Sequence, residues 1–166
     1  MLKGALLQIT SLFFILFGGV IQAKDDGFNG KWVLDHHETQ PNDCPKKLET
    51  AIKQDGSGLT FENRFQEPET GVVPLLYLGV MTTKLHLSSD GQSQENTIGP
   101  FQMSSKSTVD GKEIKTEWTA ILEGGQLQGQ WTHRLSDDGK HLTWEIKQTP
   151  ADGGQGRQVI LYFVRK

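Results

Sequence analysis

From residue 28 onward, apolar side chains recur at every second position in short runs. The runs are separated by the dipeptides Asp55-Gly56, Asp90-Gly91, Asp110-Gly111, Gly124-Gly125, Asp138-Gly139 and Asp152-Gly153. Period two between turn-forming pairs predicts strands joined by hairpins, and no segment holds a 3.6 period over three turns. The stretch 44–54 fits a helix, but Leu48, Thr50 and Ile52 also fit a strand, which is the preferred reading.

Two-residue turns fix the pairing register. With Asp110-Gly111, Gly124-Gly125 and Asp138-Gly139 as turns, one row across four strands reads Ser105, Thr116, His133, Trp144. Its neighbours read Met103, Trp118, Trp131, Ile146 and Ser107, Ile114, Leu135, Leu142. All three rows share one face, while Lys115, Glu117, Gln128, Gln130, Arg134, Glu145 and Lys147 occupy the other. A meander with one buried and one wet face follows. No amphipathic helix is available to cover the apolar face, so the sheet is expected to close on itself. The predicted fold is all-β: an antiparallel up-and-down barrel of about eight to ten strands. A two-sheet sandwich is the alternative, and consecutive hairpins favour the barrel.

At 166 residues, 22% charged and 35% hydrophobic, the chain has the composition of one globular domain rather than of a disordered, collagen-like or coiled-coil protein. With 17 basic against 20 acidic residues it offers no phosphate-neutralising face, so nucleic acid is not an expected partner. Residues 1–23 have the layout of a secretory signal peptide: Lys3, an apolar run over 12–17, and a small-residue end at Gln22-Ala23. Gln8, Thr10 and Ser11 keep the apolar run short of the roughly 20 residues that span a bilayer. The expectation is therefore a domain over 24–166, secreted or periplasmic, with no stable transmembrane anchor after cleavage. The single cysteine, Cys44, can make no internal disulfide; it is an inert thiol, or else an intermolecular or reactive one.

The opening Phe28-Asn29-Gly30-Lys31-Trp32 resembles the Gly-x-Trp start of the calycin group, which includes lipocalins and fatty-acid-binding proteins. The stretch Ser136-Asp137-Asp138-Gly139 and the ending Leu161-Tyr162-Phe163-Val164-Arg165 look like those of short secreted bacterial lipocalin-like domains. The resemblance implies a barrel whose first strand closes against its last. It also implies that Trp32 packs against the basic side chain of Arg165, a structural closure of the barrel base by cation–π contact. The usual lipocalin disulfide is absent.

Candidate chemistry is sparse. Met103, Ser105, Thr116, Trp118, Trp131, His133 and Trp144 face inward together. They either line a cavity where a small, largely apolar ligand meets a few polar groups, or fill the core, with Thr116 and His133 bonded to each other. His36-His37-Glu38 suggests a metal site, but adjacent strand residues face opposite ways, and the expectation there is a solvated rim. The segment 72–81 is apolar on both faces, as a strand buried on both sides would be; Leu76, Tyr77, Leu78 and Met81 are otherwise candidates for a portal or lid, the favoured reading, or for a protein-partner patch. Asn96-Thr97-Ile98-Gly99-Pro100 is expected to break strand pairing. No nucleophile elbow, zincin or phosphate-loop motif occurs, and no cofactor, metal or catalytic residue is expected. The first reading is a binding barrel without turnover; the second is a packed interaction module.

Overall fold

Alternation becomes ten strands in chain order: β1 (Gly30–Thr39), β2 (Lys47–Asp55), β3 (Gly58–Gln66), β4 (Thr82–Leu87), β5 (Asp90–Ile98), β6 (Phe101–Asp110), β7 (Glu113–Leu122), β8 (Gly125–Leu135), β9 (His141–Pro150) and β10 (Arg157–Arg165). The computed structural model describes residues 27–39, 47–66, 82–122 and 124–166. Residues 1–23, where a signal peptide is expected, Cys44 and the segment 72–81, with Leu76, Tyr77, Leu78 and Met81, lie outside the described residues. So do the side chains of His36 and His37, whose backbone pairs with Tyr162 and Leu161.

The strands form one antiparallel sheet in the order β4-β3-β2-β1-β10-β9-β8-β7-β6-β5. Each neighbour is the next strand in sequence except at β1 and β10, where the two ends of the chain zip together from Trp32↔Arg165 to Thr39↔Val159. The fold is a nearly closed up-and-down barrel of calycin-like form, and the break in its wall lies between β4 and β5. There Asn96 of β5 substitutes for a ladder. Its Oδ1 accepts the His86 backbone N–H at 2.7 Å, and its Nδ2 donates to the His86 carbonyl at 2.8 Å. Asn96-Thr97-Ile98, expected to interrupt pairing, instead complete β5 against Met103, Gln102 and Phe101, and the chain turns after them at Gly99, where φ is +58°.

Strand parity matches the hydrophobic pattern. Leu48, Thr50 and Ile52 of β2, and Leu59, Phe61, Asn63 and Phe65 of β3, are all buried. They face Ile114, Trp118, Trp131, His133, Trp144 and Ile146 from the other side of the barrel. Outward positions are charged; Arg134, for instance, bridges Glu113 and Glu145 at 2.7 and 3.3 Å.

The register differs from the sequence expectation at two of three hairpins. Asp110 pairs with Glu113, so Asp110 is the last strand residue and Gly111, at φ +55°, takes the first turn position. Leu122 pairs with Gly125, which already belongs to β8. At the β2–β3 hairpin a side-chain contact fixes the same placement: Asp55 Oδ1 accepts the N–H and O–H of Ser57 at 2.8 and 2.5 Å, holding the aspartate before the turn. Each correction shifts pairing by two residues, which conserves the face and changes only the neighbours. Thr116 therefore lies opposite Ser107 and Trp131, while His133 lies opposite Ile114 and Trp144. The expected register at the β8–β9 hairpin holds, with Leu135 opposite Leu142.

Candidate functional site

The base of the barrel is built from its two chain ends. Trp32 donates its indole N–H to the Phe28 carbonyl at 3.0 Å and lies 4.4 Å beneath the Arg165 guanidinium carbon. Arg165 in turn donates to the carbonyls of Asn29 and Gly27, both at 2.6 Å, and of Gly139 at 2.8 Å. A planar fork with five N–H groups suits this task, because it can serve several carbonyls while its face stacks on an indole.

Above this floor, β7, β8 and β9 carry a continuous series of rings. Trp118 and Trp131 lie 5.5 Å apart, Trp131 meets Trp144 edge-on at 5.8 Å, and Trp144 stacks on His133 at 4.7 Å. His133 also touches Phe61 of β3, on the opposite wall, at 4.9 Å. At that level the lumen is bridged side chain to side chain. The close packing extends to the backbone: a Cβ at Gly129 would sit 2.1 Å from the Lys147 carbonyl oxygen and 2.6 Å from Trp118 Cζ2, so only glycine fits beneath that indole.

The polar atoms in this wall are unpaired. Trp118 Nε1, Trp131 Nε1, Trp144 Nε1, both nitrogens of His133 and Gln148 Oε1 are fully enclosed and have no hydrogen-bond partner. Burial alone lowers the His133 pKa to about 3, so the imidazole is neutral and a poor proton acceptor at ordinary pH. Other inward polar groups are matched. Thr116 shares a hydrogen bond with Ser107 at 2.9 Å rather than with His133, and Ser105 donates to the Gln94 carbonyl at 3.3 Å. Across the barrel, Thr50 donates to Asn63 Oδ1 at 2.9 Å, and Asn63 Nδ2 donates to Thr83 at 3.3 Å. Met103 is fully buried beside this region.

Thus the seven inward candidates are all buried, but as an aromatic wall with unpaired polar atoms, with Thr116 bonded to Ser107, Ser105 bonded to a backbone carbonyl, and Met103 in the apolar core. Gln148, Phe61, Asn63 and Thr83 were not singled out from the sequence, and Thr50 was named only as a strand position. Asn63 and Gln148 carried a readable signal, a carboxamide on the apolar parity of its strand. Among the described residues no group of three or more His, Cys, Asp or Glu side chains comes together. A concavity of about 540 Å³ lies over the solvated row Lys106, Glu117, Gln130 and Lys147, and Ser105, Trp118 and Gly129 also line it.

No protein-family model and no curated protein matches the chain. Among solved structures, the chain is similar in fold to a secretory abundant heat soluble (SAHS) protein from Ramazzottius varieornatus. The TM-score is 0.58 at 11% identity, over 84% of this chain and 95% of that one. A second such protein from that organism, secretory abundant heat soluble protein 4, gives a TM-score of 0.49 at 12% identity over 85% and 96%. The wild-type fluorescent protein UnaG gives 0.47 at 13% identity over 84% and 97%. The first likeness supports the fold alone: a calycin-like antiparallel barrel, with its first and last strands paired.

Proposed function

We propose that this protein is an exported binding barrel that holds a small, largely apolar molecule against the Trp118–Trp131–Trp144–His133 wall and does not turn it over. One observation carries the reading: six buried polar atoms in a single wall lack partners. Buried polar groups in native proteins are met by the chain, by ordered water or by a bound molecule, and each one left unmet costs about 1–3 kcal/mol. Aromatic walls with a few convergent polar groups are the usual lining of small-molecule sites. The neutral, weakly basic His133 suits binding better than proton transfer.

The His133–Phe61 contact favours a second reading, in which the interior is packed throughout and the domain acts through its surface. Native mass spectrometry of protein purified from its own host, followed by solvent extraction, separates the two. A co-purifying small molecule that also quenches tryptophan emission on re-addition is the expected result. An apo mass, with no quenching across a panel of apolar ligands, would leave the packed module.

A further inference from the structure

We infer that a hollow on the outer face of β1–β3 is a site for a small organic phosphate, a compact group with two or more negative charges, held by Lys31, Lys53 and Arg64. The hollow follows from strand parity. Trp32, Thr50, Ile52, Phe61 and Asn63 are buried, so the residues that alternate with them point to solvent. Pairing sets Lys31, Ala51 and Glu62 in one outward row, with Glu49 and Lys53 flanking Ala51 on β2 and Arg64 opposite Glu49 on β3. Ala51 is the shortest side chain of this group. Around its single methyl the long neighbours leave a space of about 250 Å³, lined by Lys31, Glu49, Lys53, Glu62 and Arg64 as well as by Ala51 itself.

Charge gives the class of ligand. On a chain of formal charge −3, three cations meet at this space, and among the described residues none of them is in ion-pair contact with a carboxylate. All three are exposed, while Glu49 and Glu62 are half-buried. Glu49 is engaged by Lys166 at 3.2 Å, and Lys84 lies opposite Glu62 on the side away from Ala51. An incoming anion therefore meets uncommitted positive groups first. The wall of β7–β9 is built differently, because its Lys115, Arg134 and Lys147 are already bound to Glu113 and Glu145. A guanidinium can hold two phosphate oxygens at once and two ammonium groups add point charges, a set that favours a dianionic phosphate over a monoanionic carboxylate.

The test is a titration of the isotope-labelled full chain at pH 7.5 with pyrophosphate, glycerol 3-phosphate and acetate, followed by amide chemical shifts. Saturable shifts confined to β1–β3 are expected, with acetate at least about tenfold weaker than pyrophosphate. Ala51→Leu fills the hollow and leaves every charge in place, and should weaken pyrophosphate at least about fivefold. Arg64→Gln should cost about three- to tenfold, and Lys106→Gln, on the opposite wall, less than about twofold. Vesicles of phosphatidylcholine with and without phosphatidic acid separate two sources of the same group. Retention on the acidic vesicles that Ala51→Leu removes makes a lipid headgroup the ligand, and glycerol 3-phosphate binding without retention makes it a soluble ester. Binding that survives Ala51→Leu, or that falls equally with Lys106→Gln and Arg64→Gln, is diffuse attraction to surface cations and overturns the inference. Acetate binding as tight as that of pyrophosphate overturns it too, as does a lack of saturation by both phosphate probes.

Discussion

His133 links burial to pH. Its pKa is lowered to about 3 by burial, while in the unfolded chain it titrates near 6.5. Between those values the unfolded state holds one proton more than the folded state, so acidification favours unfolding. The contribution is fully present above about pH 6.5 and is lost as the pH falls toward 3, at up to about 1.4 kcal/mol per pH unit. His133→Phe keeps a flat ring between Phe61 and Trp144 and removes the titration. In urea unfolding at pH 7.5 and 4.5 the wild type should lose about 2–3 kcal/mol more than the variant. Equal losses would mean that the imidazole is hydrated in the folded state. The outward carboxylates act lower on the scale: hydrogen bonds from Ser136 and from the Lys140 backbone hold Asp138 at about 2, so its contribution is intact above about pH 4 and is lost as the pH falls from there toward 2.

At the scale of elements, the wall is continuous except between β4 and β5, where a single carboxamide spans the seam. Replacing Asn96 by alanine removes both bonds to the His86 backbone and leaves its N–H and carbonyl unmatched in a partly buried site. The expected cost is about 1–3 kcal/mol in unfolding free energy. Faster amide exchange should follow, confined to β4 and β5, with β7–β9 unchanged; a uniform rise across all strands would show instead that the seam is not a separate opening unit. This staple was not legible in the sequence, where Asn96 read as the start of a break, because its role depends on two strands that do not pair. The faces of β6 to β9 were legible, since misplacing a two-residue turn by one position moves partners by two and leaves each side chain on its side. The neighbours were not: Thr116 and His133 could be placed on one face but not assigned Ser107 and Phe61 as contacts. The His133–Phe61 contact crosses the lumen between β8 and β3, and no local pattern records it.

For the molecule as a whole, the joined chain ends and the unpaired seam make opposite predictions about where the chain can be opened. β10 pairs along its length with both β1 and β9, its Arg165 seals the base, and the Lys166 N–H bonds the Lys31 carbonyl at 2.9 Å. A chain ending at Gly156 would expose two new strand edges and uncover Trp32, so it should show no cooperative unfolding transition and no near-ultraviolet tryptophan signal. The seam carries no such ladder. A circular permutant that starts at Asp90 and ends at Ser89, with Lys166 joined to Gly27 by a short Gly/Ser linker, keeps every strand pair. The linker is short because Arg165 already touches the Gly27 carbonyl. This permutant loses only the local contacts at the β4–β5 turn, chiefly Ser88 with Asp90, and the tethering of the seam. It should fold with the parent's near-ultraviolet spectrum and a stability lower by about 1–3 kcal/mol. Failure of the permutant to fold would mean that the short β4–β5 connection, rather than the ladder of β1 with β10, organises closure of the barrel.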